Sequence, residues 1–163
     1  MACVIREAKP ADADEISRLI DALGYALASE QVLERLALHA DGSSKVLVAE
    51  NDGAVIGFLS FHSIPLFHQQ GSLGRITAMA ISPDHHRQGI GRLLVTAAEE
   101  VAAACGCLRL EVTSGDHREQ DAHLFYQAQG YRTDCRRFIK DLIPAGETNG
   151  LSFACNDRDP GHC

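Results

Sequence analysis

What this chain lacks narrows its class before any motif is read. Its six cysteines (Cys3, Cys105, Cys107, Cys135, Cys155, Cys163) show no zinc spacing. The start, Met1-Ala2-Cys3-Val4-Ile5-Arg6, has no signal-peptide apolar core, so a reducing, cytoplasmic setting is expected. No apolar run reaches the roughly 20 residues that cross a bilayer, so a soluble protein without a membrane partner is expected. A basic excess is missing as well. The formal charge of −7 argues against non-specific nucleic-acid binding and tolerates a cationic substrate. Among the eight histidines, His85 and His86 are adjacent and His117 and His123 lie six apart, which are not ligand spacings, so no metal is expected. A length of 163 residues suits one domain with a substantial core.

What is there centres on Arg75 to Cys105, where an apolar run ends at Ser82-Pro83-Asp84 and a basic glycine loop opens a long helix. The loop reads His85-His86-Arg87-Gln88-Gly89-Ile90-Gly91-Arg92. Glycine lacks the Cβ that keeps a ligand from backbone N–H groups. Behind it Ile90, Leu93, Leu94, Ala97, Ala98, Val101, Ala102 and Cys105 recur at the spacing of one helix face, with Arg92, Thr96, Glu99 and Glu100 opposite. A helix N-terminus carries unpaired donors and partial positive charge, so with Arg87 and Arg92 beside it the loop should attract a pyrophosphate. The plainer alternative, that Gly89 and Gly91 only ease a strand-to-helix turn, leaves unexplained why each accepts the cost of about 1 kcal/mol for glycine within a helix. A Walker loop would need Gly-Lys-Ser/Thr, and the dinucleotide fingerprint a third glycine where Leu94 stands. Glu111, at the offset of a ribose-binding acid, keeps a dinucleotide reading open.

The remaining elements are read from local signals. Cys3 to Ala8 predicts a strand, Pro10-Ala11-Asp12 opens a helix that Gly24 stops, and a second helix runs about Ser29 to His39. Asp12, Asp14, Glu15, Asp21, Glu30 and Glu34 read as a solvated face in preference to an acidic lip for an amine. Asn51-Asp52-Gly53 predicts a hairpin between Lys45–Glu50 and Ala54–Phe61. A looser segment with Pro65, His68 and Gly71 precedes an antiparallel strand, Arg75 to Ile81. Cys107 to Thr113 should lie beside that strand after the crossover helix. A helix over Glu119 to Ala128 ends at Gly130, and Tyr131 to Leu142 should return as strand. Residues 144–163, with Gly146, Gly150, Pro160 and Gly161, are expected to be poorly ordered.

Two motifs carry a resemblance. His86-Arg87-Gln88-Gly89-Ile90-Gly91 resembles the Gln/Arg-x-x-Gly-x-Gly/Ala pyrophosphate loop of the GNAT superfamily of acyl-CoA-dependent N-acetyltransferases, with His86 where the family has Gln or Arg. Ala122-His123-Leu124-Phe125-Tyr126-Gln127-Ala128-Gln129-Gly130-Tyr131 resembles the family's later signature, a helix that carries a Tyr and closes on Gly-aromatic. The resemblance covers roughly residues 3 to 143. It implies an α/β (α+β) domain at 3–143, built on a mixed, mainly antiparallel central sheet with helices on both faces.

The resemblance also implies a function: transfer of an acetyl group from acetyl-CoA to a primary amine of a small molecule or peptide, by direct attack in a ternary complex and without a metal. His86, Arg87, Gln88, Gly89, Ile90, Gly91 and Arg92 would hold the pyrophosphate, and the backbone of Met79, Ala80 and Ile81 the pantetheine and thioester oxygen. Tyr126 would protonate or hydrogen-bond the leaving sulfur; alternatively Tyr126, Phe125 and Tyr131 form an aromatic core cluster. Many members place a Glu on the strand before the loop, but Arg75-Ile76-Thr77-Ala78-Met79-Ala80-Ile81 offers no carboxylate, so Glu111, Asp116 or His117 become the candidate bases. Glu119 stands where the family often has Asn. Acceptor pockets of the family draw on the first two helices and the segment around His62 to His68, and its members often form homodimers, which the resemblance implies here. The missing strand carboxylate motivates one rival, a non-catalytic acyl-CoA-binding sensor.

Overall fold

The computed structural model describes residues 3–113, 122–134, 137–140 and 142. By contact the chain divides into two compact units, Met1–Thr113 and Ser114–Cys163.

The first unit is a five-stranded sheet in sequential order: β1 (Val4–Glu7), β2 (Ser44–Asn51), β3 (Ala54–Pro65), β4 (Ser72–Ile81) and β5 (Cys107–Val112). The first four pair antiparallel, and β5 lies parallel to β4. This parallel pair requires a crossover, which is the helix α3 (Ile90–Ala104). Between β1 and β2 the chain makes a 3-10 turn at Pro10–Asp12 and the helices α1 (Ala13–Ala22) and α2 (Ser29–Leu38). Gly24, at φ +88°, ends the first of them as expected. The Asp52-Gly53 turn has positive φ at both residues, the geometry of a tight hairpin.

Both faces of the sheet are covered. Val46, Val48, Phe58 and Ala80 face α1 and α2 and pack with Ala13, Ile16, Leu19 and Val32. On the other face α3 contacts β2, β3, β4 and β5, with Leu94, Val95 and Ala98 fully buried. β3 is therefore buried without interruption from Val55 to Phe61, as a central strand between two helical layers should be. A Cβ on Gly57 would come within 3.3 Å of Leu94 Cδ1 and 3.2 Å of the Ala80 carbonyl, so α3 approaches the sheet closely there.

Several expectations need correction. β3 runs on to Pro65 and β4 begins at Ser72, so most of the segment expected to be loose is paired strand, from His62↔Arg75 to Pro65↔Ser72. Leu66 N–H donates to the Gly71 carbonyl and closes that hairpin. The buried face of α3 is Ile90, Gly91, Leu94, Val95, Ala98 and Ala102. Leu93, assigned to it by periodicity, is 44% exposed and lines a cavity of about 290 Å3 with Cys3, Asn51, Ile56, Gln88 and Ile90. Asp12 is not on a solvated face. It is buried, and the Arg6 guanidinium grips it bidentately at 2.7 and 2.8 Å while reaching Glu50 at 2.6 Å. The reason is geometric: the Pro10–Asp12 turn folds back on β1, and the Asp12 carboxylate also caps the Lys9 N–H.

In the second unit a π-turn at residues 122–123 leads into the short helix α4 (Leu124–Gln127). Gly130, at φ +86°, closes it as expected. The return strand expected over Tyr131 to Leu142 is absent among the described residues. A strand needs a ladder partner and a covered face, and Phe138, Ile139 and Leu142 are exposed. Residues 114–121, including Asp116, His117 and Glu119, and the tail 144–163 lie outside the described residues. Among the described residues no helix is long and apolar enough to cross a membrane, no cluster of His, Cys, Asp and Glu could hold a metal, and Cys3, Cys105 and Cys107 are free thiols.

Candidate active site

The glycine loop is built from the backbone outward. β4 ends at Ile81, Ser82 N–H donates to the Ile56 carbonyl, and Pro83–His85 makes one 3-10 turn. Two side chains staple the chain on either side of that turn: His86 Nε2–H donates to the Ile81 carbonyl at 3.0 Å, and the Gln88 amide to the Asp84 carbonyl at 3.2 Å. His86 is thereby tied to its own strand end.

Arg87 then takes φ +60° and Gly89 φ +81°. A left-handed conformation costs a residue with a Cβ about 1–2 kcal/mol, so Arg87 is a strained residue inside the loop, the kind of outlier that clusters at functional sites. Gly89 is the N-cap of α3, and no side chain caps the helix. A Cβ added there would meet nothing within 4 Å. Glycine is thus required by the sign of φ rather than by crowding. The space beside Gly89 at the start of α3 is open, with Arg87 and Arg92 exposed on either side, which suits an anion.

The strand that feeds the loop has one open edge. β5 pairs β4 only from Ser72 to Ile76. Among the described residues Thr77, Ala78, Met79, Ala80 and Ile81 have no strand neighbour on that side. At the start of this stretch the β3–β4 register shifts: Ser60 pairs Ala78 and Phe61 pairs Ile76, which leaves Thr77 as the extra residue of a bulge. Bulges re-aim side chains next to active sites.

Thr77 is aimed at a polar cluster that the sequence reading missed. Its hydroxyl lies 3.2 Å from Ser60 Oγ and 3.1 Å from His62 Nε2. His62 Nδ1 is 2.9 Å from Ser44 Oγ, and Ser60 Oγ is 3.4 Å from both His39 Nε2 and His62 Nε2. The imidazole rings of His39 and His62 are 4.9 Å apart. Burial, and then the neighbouring His39, push the His62 pKa below the usual imidazole value, with Asp41 opposing. A signal was present in the sequence: Ser60 and His62 are two apart on a strand, hence on one face, in an otherwise apolar run.

Across the sheet from His62 stands Arg75, its register partner. Arg75 donates to Glu111 at 2.9 Å, and Arg109 meets the other Glu111 oxygen at 2.8 Å. Glu111, weighed as a base and as a ribose ligand, is thus committed to two guanidinium groups. The buried Nε of Arg75 has no hydrogen-bond partner among the described residues. Tyr126, in the second unit, is buried on α4 and stacks edge-on against Phe125 and Tyr131, with ring centroids at 5.0 and 5.6 Å. The aromatic cluster weighed as an alternative to catalysis therefore exists.

Comparison with known proteins sets these features in a family. The sequence pattern of the acetyltransferase (GNAT) family matches residues 14–131. An aminoalkylphosphonate N-acetyltransferase of Salmonella typhimurium is 31% identical over 150 residues, which cover 86% of this chain and 92% of that protein. Among solved structures, a putative acetyltransferase from Agrobacterium tumefaciens superposes with a TM-score of 0.77 at 20% identity, covering 85% of this chain and 99% of that one. The glucosamine-6-phosphate N-acetyltransferase of Arabidopsis thaliana gives a TM-score of 0.75 at 15% identity over 88% and 100% of the two chains. The dinucleotide reading falls with these matches, since the sheet is mainly antiparallel where that fold is a parallel one. A glycine loop at a helix start, a β4 edge without a strand neighbour beyond Ile76 among the described residues, and a family pattern spanning most of the chain come together in one conclusion: this protein is an acyltransferase of the GNAT acetyltransferase family.

Proposed function

We propose that the protein moves an acetyl group from acetyl-CoA to the primary amine of a small molecule or peptide, by direct attack of the amine while both substrates are bound. The observation that carries this reading is the loop. Gly89 at φ +81° opens an uncapped helix N-terminus between Arg87 and Arg92, with open space where a side chain would stand. In this reading the backbone of residues 86–92 holds the pyrophosphate and the free edge of Met79, Ala80 and Ile81 holds the pantetheine arm. Acetyl-CoA supplies an acetyl group activated as a thioester. Tyr126 then serves the departing sulfur as a hydrogen-bond or proton donor, a role supported by its place in the Tyr-to-Gly-aromatic signature.

The favoured acceptor is a small amine that also bears an anionic group. The Salmonella relative is named for aminoalkylphosphonates. Here, among the described residues, Arg75, whose buried Nε has no partner, and Arg109 flank one carboxylate, Glu111. Two cations against one anion leave net positive charge for an acidic substrate end.

Thiol release from acetyl-CoA with aminoethylphosphonate, an uncharged alkylamine and a peptide amine tests the reading. We expect turnover with the highest kcat/KM for the anionic amine, lost preferentially in Arg75→Met. Binding of acetyl-CoA by calorimetry without thiol release from any amine would leave only the sensor.

A further inference from the structure

We propose that His62, held between Ser44 and Thr77 beside the β4 bulge, is the base that takes the proton from the acceptor ammonium. The inference rests on the acetyltransferase reading above, and fills the place of the carboxylate that β4 lacks.

Three features single out His62. First, its position: the bulge at Thr77 begins the unpaired edge of β4, and His62 Nε2 lies 3.1 Å from the Thr77 hydroxyl there. Second, its partners. Both flanking groups, Ser44 Oγ and Thr77 Oγ1, are hydroxyls, which donate or accept as required. His62 can therefore be neutral in either tautomer, or cationic, without orphaning a hydrogen bond. His39 is held in a single neutral tautomer, because its Nδ1 faces the Arg35 carbonyl at 2.7 Å. A carbonyl only accepts, so that nitrogen carries the hydrogen and the lone pair of His39 points at Ser60. Third, its charge state. The groups that face His62 are His39 at the end of α2, Asp41 in the turn after it, Ser44 on β2, Ser60 on β3, and Thr77 with the register partner Arg75 on β4. Burial and the nearby imidazole outweigh Asp41 and keep His62 a free base at neutral pH.

The step balances simply. One N–H bond of the ammonium breaks as its proton passes to the Thr77 hydroxyl oxygen, the Thr77 O–H proton passes in the same step to His62 Nε2, and the electron pair stays on the amine nitrogen as the nucleophile. The imidazolium donates to Ser44 and Thr77 until its proton returns to solvent. Its positive charge, 4.9 Å from a second imidazole, favours that return.

His62→Gln is the test, since an amide still reaches both hydroxyls. In the wild type kcat/KM should fall on an acidic limb with an apparent pKa below the ordinary 6.5. NMR of the His62 imidazole without acetyl-CoA should report the same depressed value. In His62→Gln, kcat/KM at neutral pH should drop about 10²–10⁴-fold, and the break below 6.5 should give way to a single rise that continues to the amine's own pKa. The deficit should narrow as pH approaches the amine's own pKa, where solvent has already removed the proton. Affinity for acetyl-CoA by calorimetry should not change. An active His62→Gln that keeps the wild-type rate and limb, or an imidazole titrating at or above 6.5, overturns the assignment while leaving acetyl transfer intact; a wild type inactive with every amine overturns both. Should His62→Gln misfold, Thr77→Val at the exposed bulge should lower kcat/KM about tenfold and shift the limb, and wild-type behaviour there would also remove His62.

Discussion

Tyr126→Phe deletes one oxygen and keeps the ring, which makes it the sharpest probe at the residue scale. Tyr126 is buried against Phe125 and Tyr131, so the edge-on packing survives the change. If the hydroxyl serves the leaving sulfur, kcat should fall about 10²–10⁴-fold with acetyl-CoA affinity unchanged. Wild-type turnover with stability in urea lowered by about 1 kcal/mol would leave Tyr126 a core residue only. Asp12 makes the complementary case, a residue whose role is structural. Its carboxylate is buried against Arg6, and removing one partner of such a pair strands the other, so Asp12→Asn should destabilise by about 3 kcal/mol, measured by denaturant unfolding, with kinetics unaffected. That pairing was not legible in the sequence, because Asp12 stands in a run of acids of which Asp14, Asp21, Glu30 and Glu34 are indeed exposed. What separates it is the fold of the Pro10–Asp12 turn onto β1, a contact no local pattern encodes.

Elements with local punctuation were legible, and those set by pairing were not. Asp52-Gly53 fixed the β2–β3 turn and the glycine pair fixed the start of α3, because each signal resides in a few consecutive residues. The extension of β3 to Pro65 and the bulge at Thr77 depend on which residue faces which across the ladder, and periodicity is blind to register. The histidine cluster was missed for that reason. It assembles from α2, β2, β3 and β4, although Ser60 and His62 could have been noticed as polar residues on one face. At the loop, the backbone makes two substitutions distinguishable. Gly89→Ala places a Cβ in open space but at φ +81°, so it should cost about 1–2 kcal/mol of stability in thermal unfolding. Gly89→Glu carries the same strain and adds a carboxylate where the phosphate would lie, so calorimetry should find acetyl-CoA binding abolished. Unchanged affinity in a folded Gly89→Glu protein would end the phosphate assignment.

For the molecule as a whole, the shifted groups that matter most point the same way in pH. The Arg6 guanidinium holds the Asp12 carboxyl below its ordinary value of 3.8, and burial holds His62 below 6.5. In each case the unfolded chain binds the proton more readily than the folded one, so stability rises with pH through the window below the unfolded value. For Asp12 the contribution is complete above about pH 4 and is lost as pH falls through the depressed folded pKa. For His62 it is complete above roughly neutral pH and declines as pH falls below 6.5. Urea midpoints taken from about pH 3 to about pH 8 should therefore fall in two steps on acidification. Asp12→Asn should flatten the lower step and His62→Gln the upper, each leaving the other in place, because they sit on separate networks: Asp12 with Arg6 and Lys9, His62 with Ser44 and Thr77. An upper step that persists in His62→Gln would mean that another histidine carries it and that the His62 imidazole is not held neutral by its surroundings. The same loss would then appear in the acidic limb of kcat/KM, so one stability titration bears on the architecture and on the chemistry together.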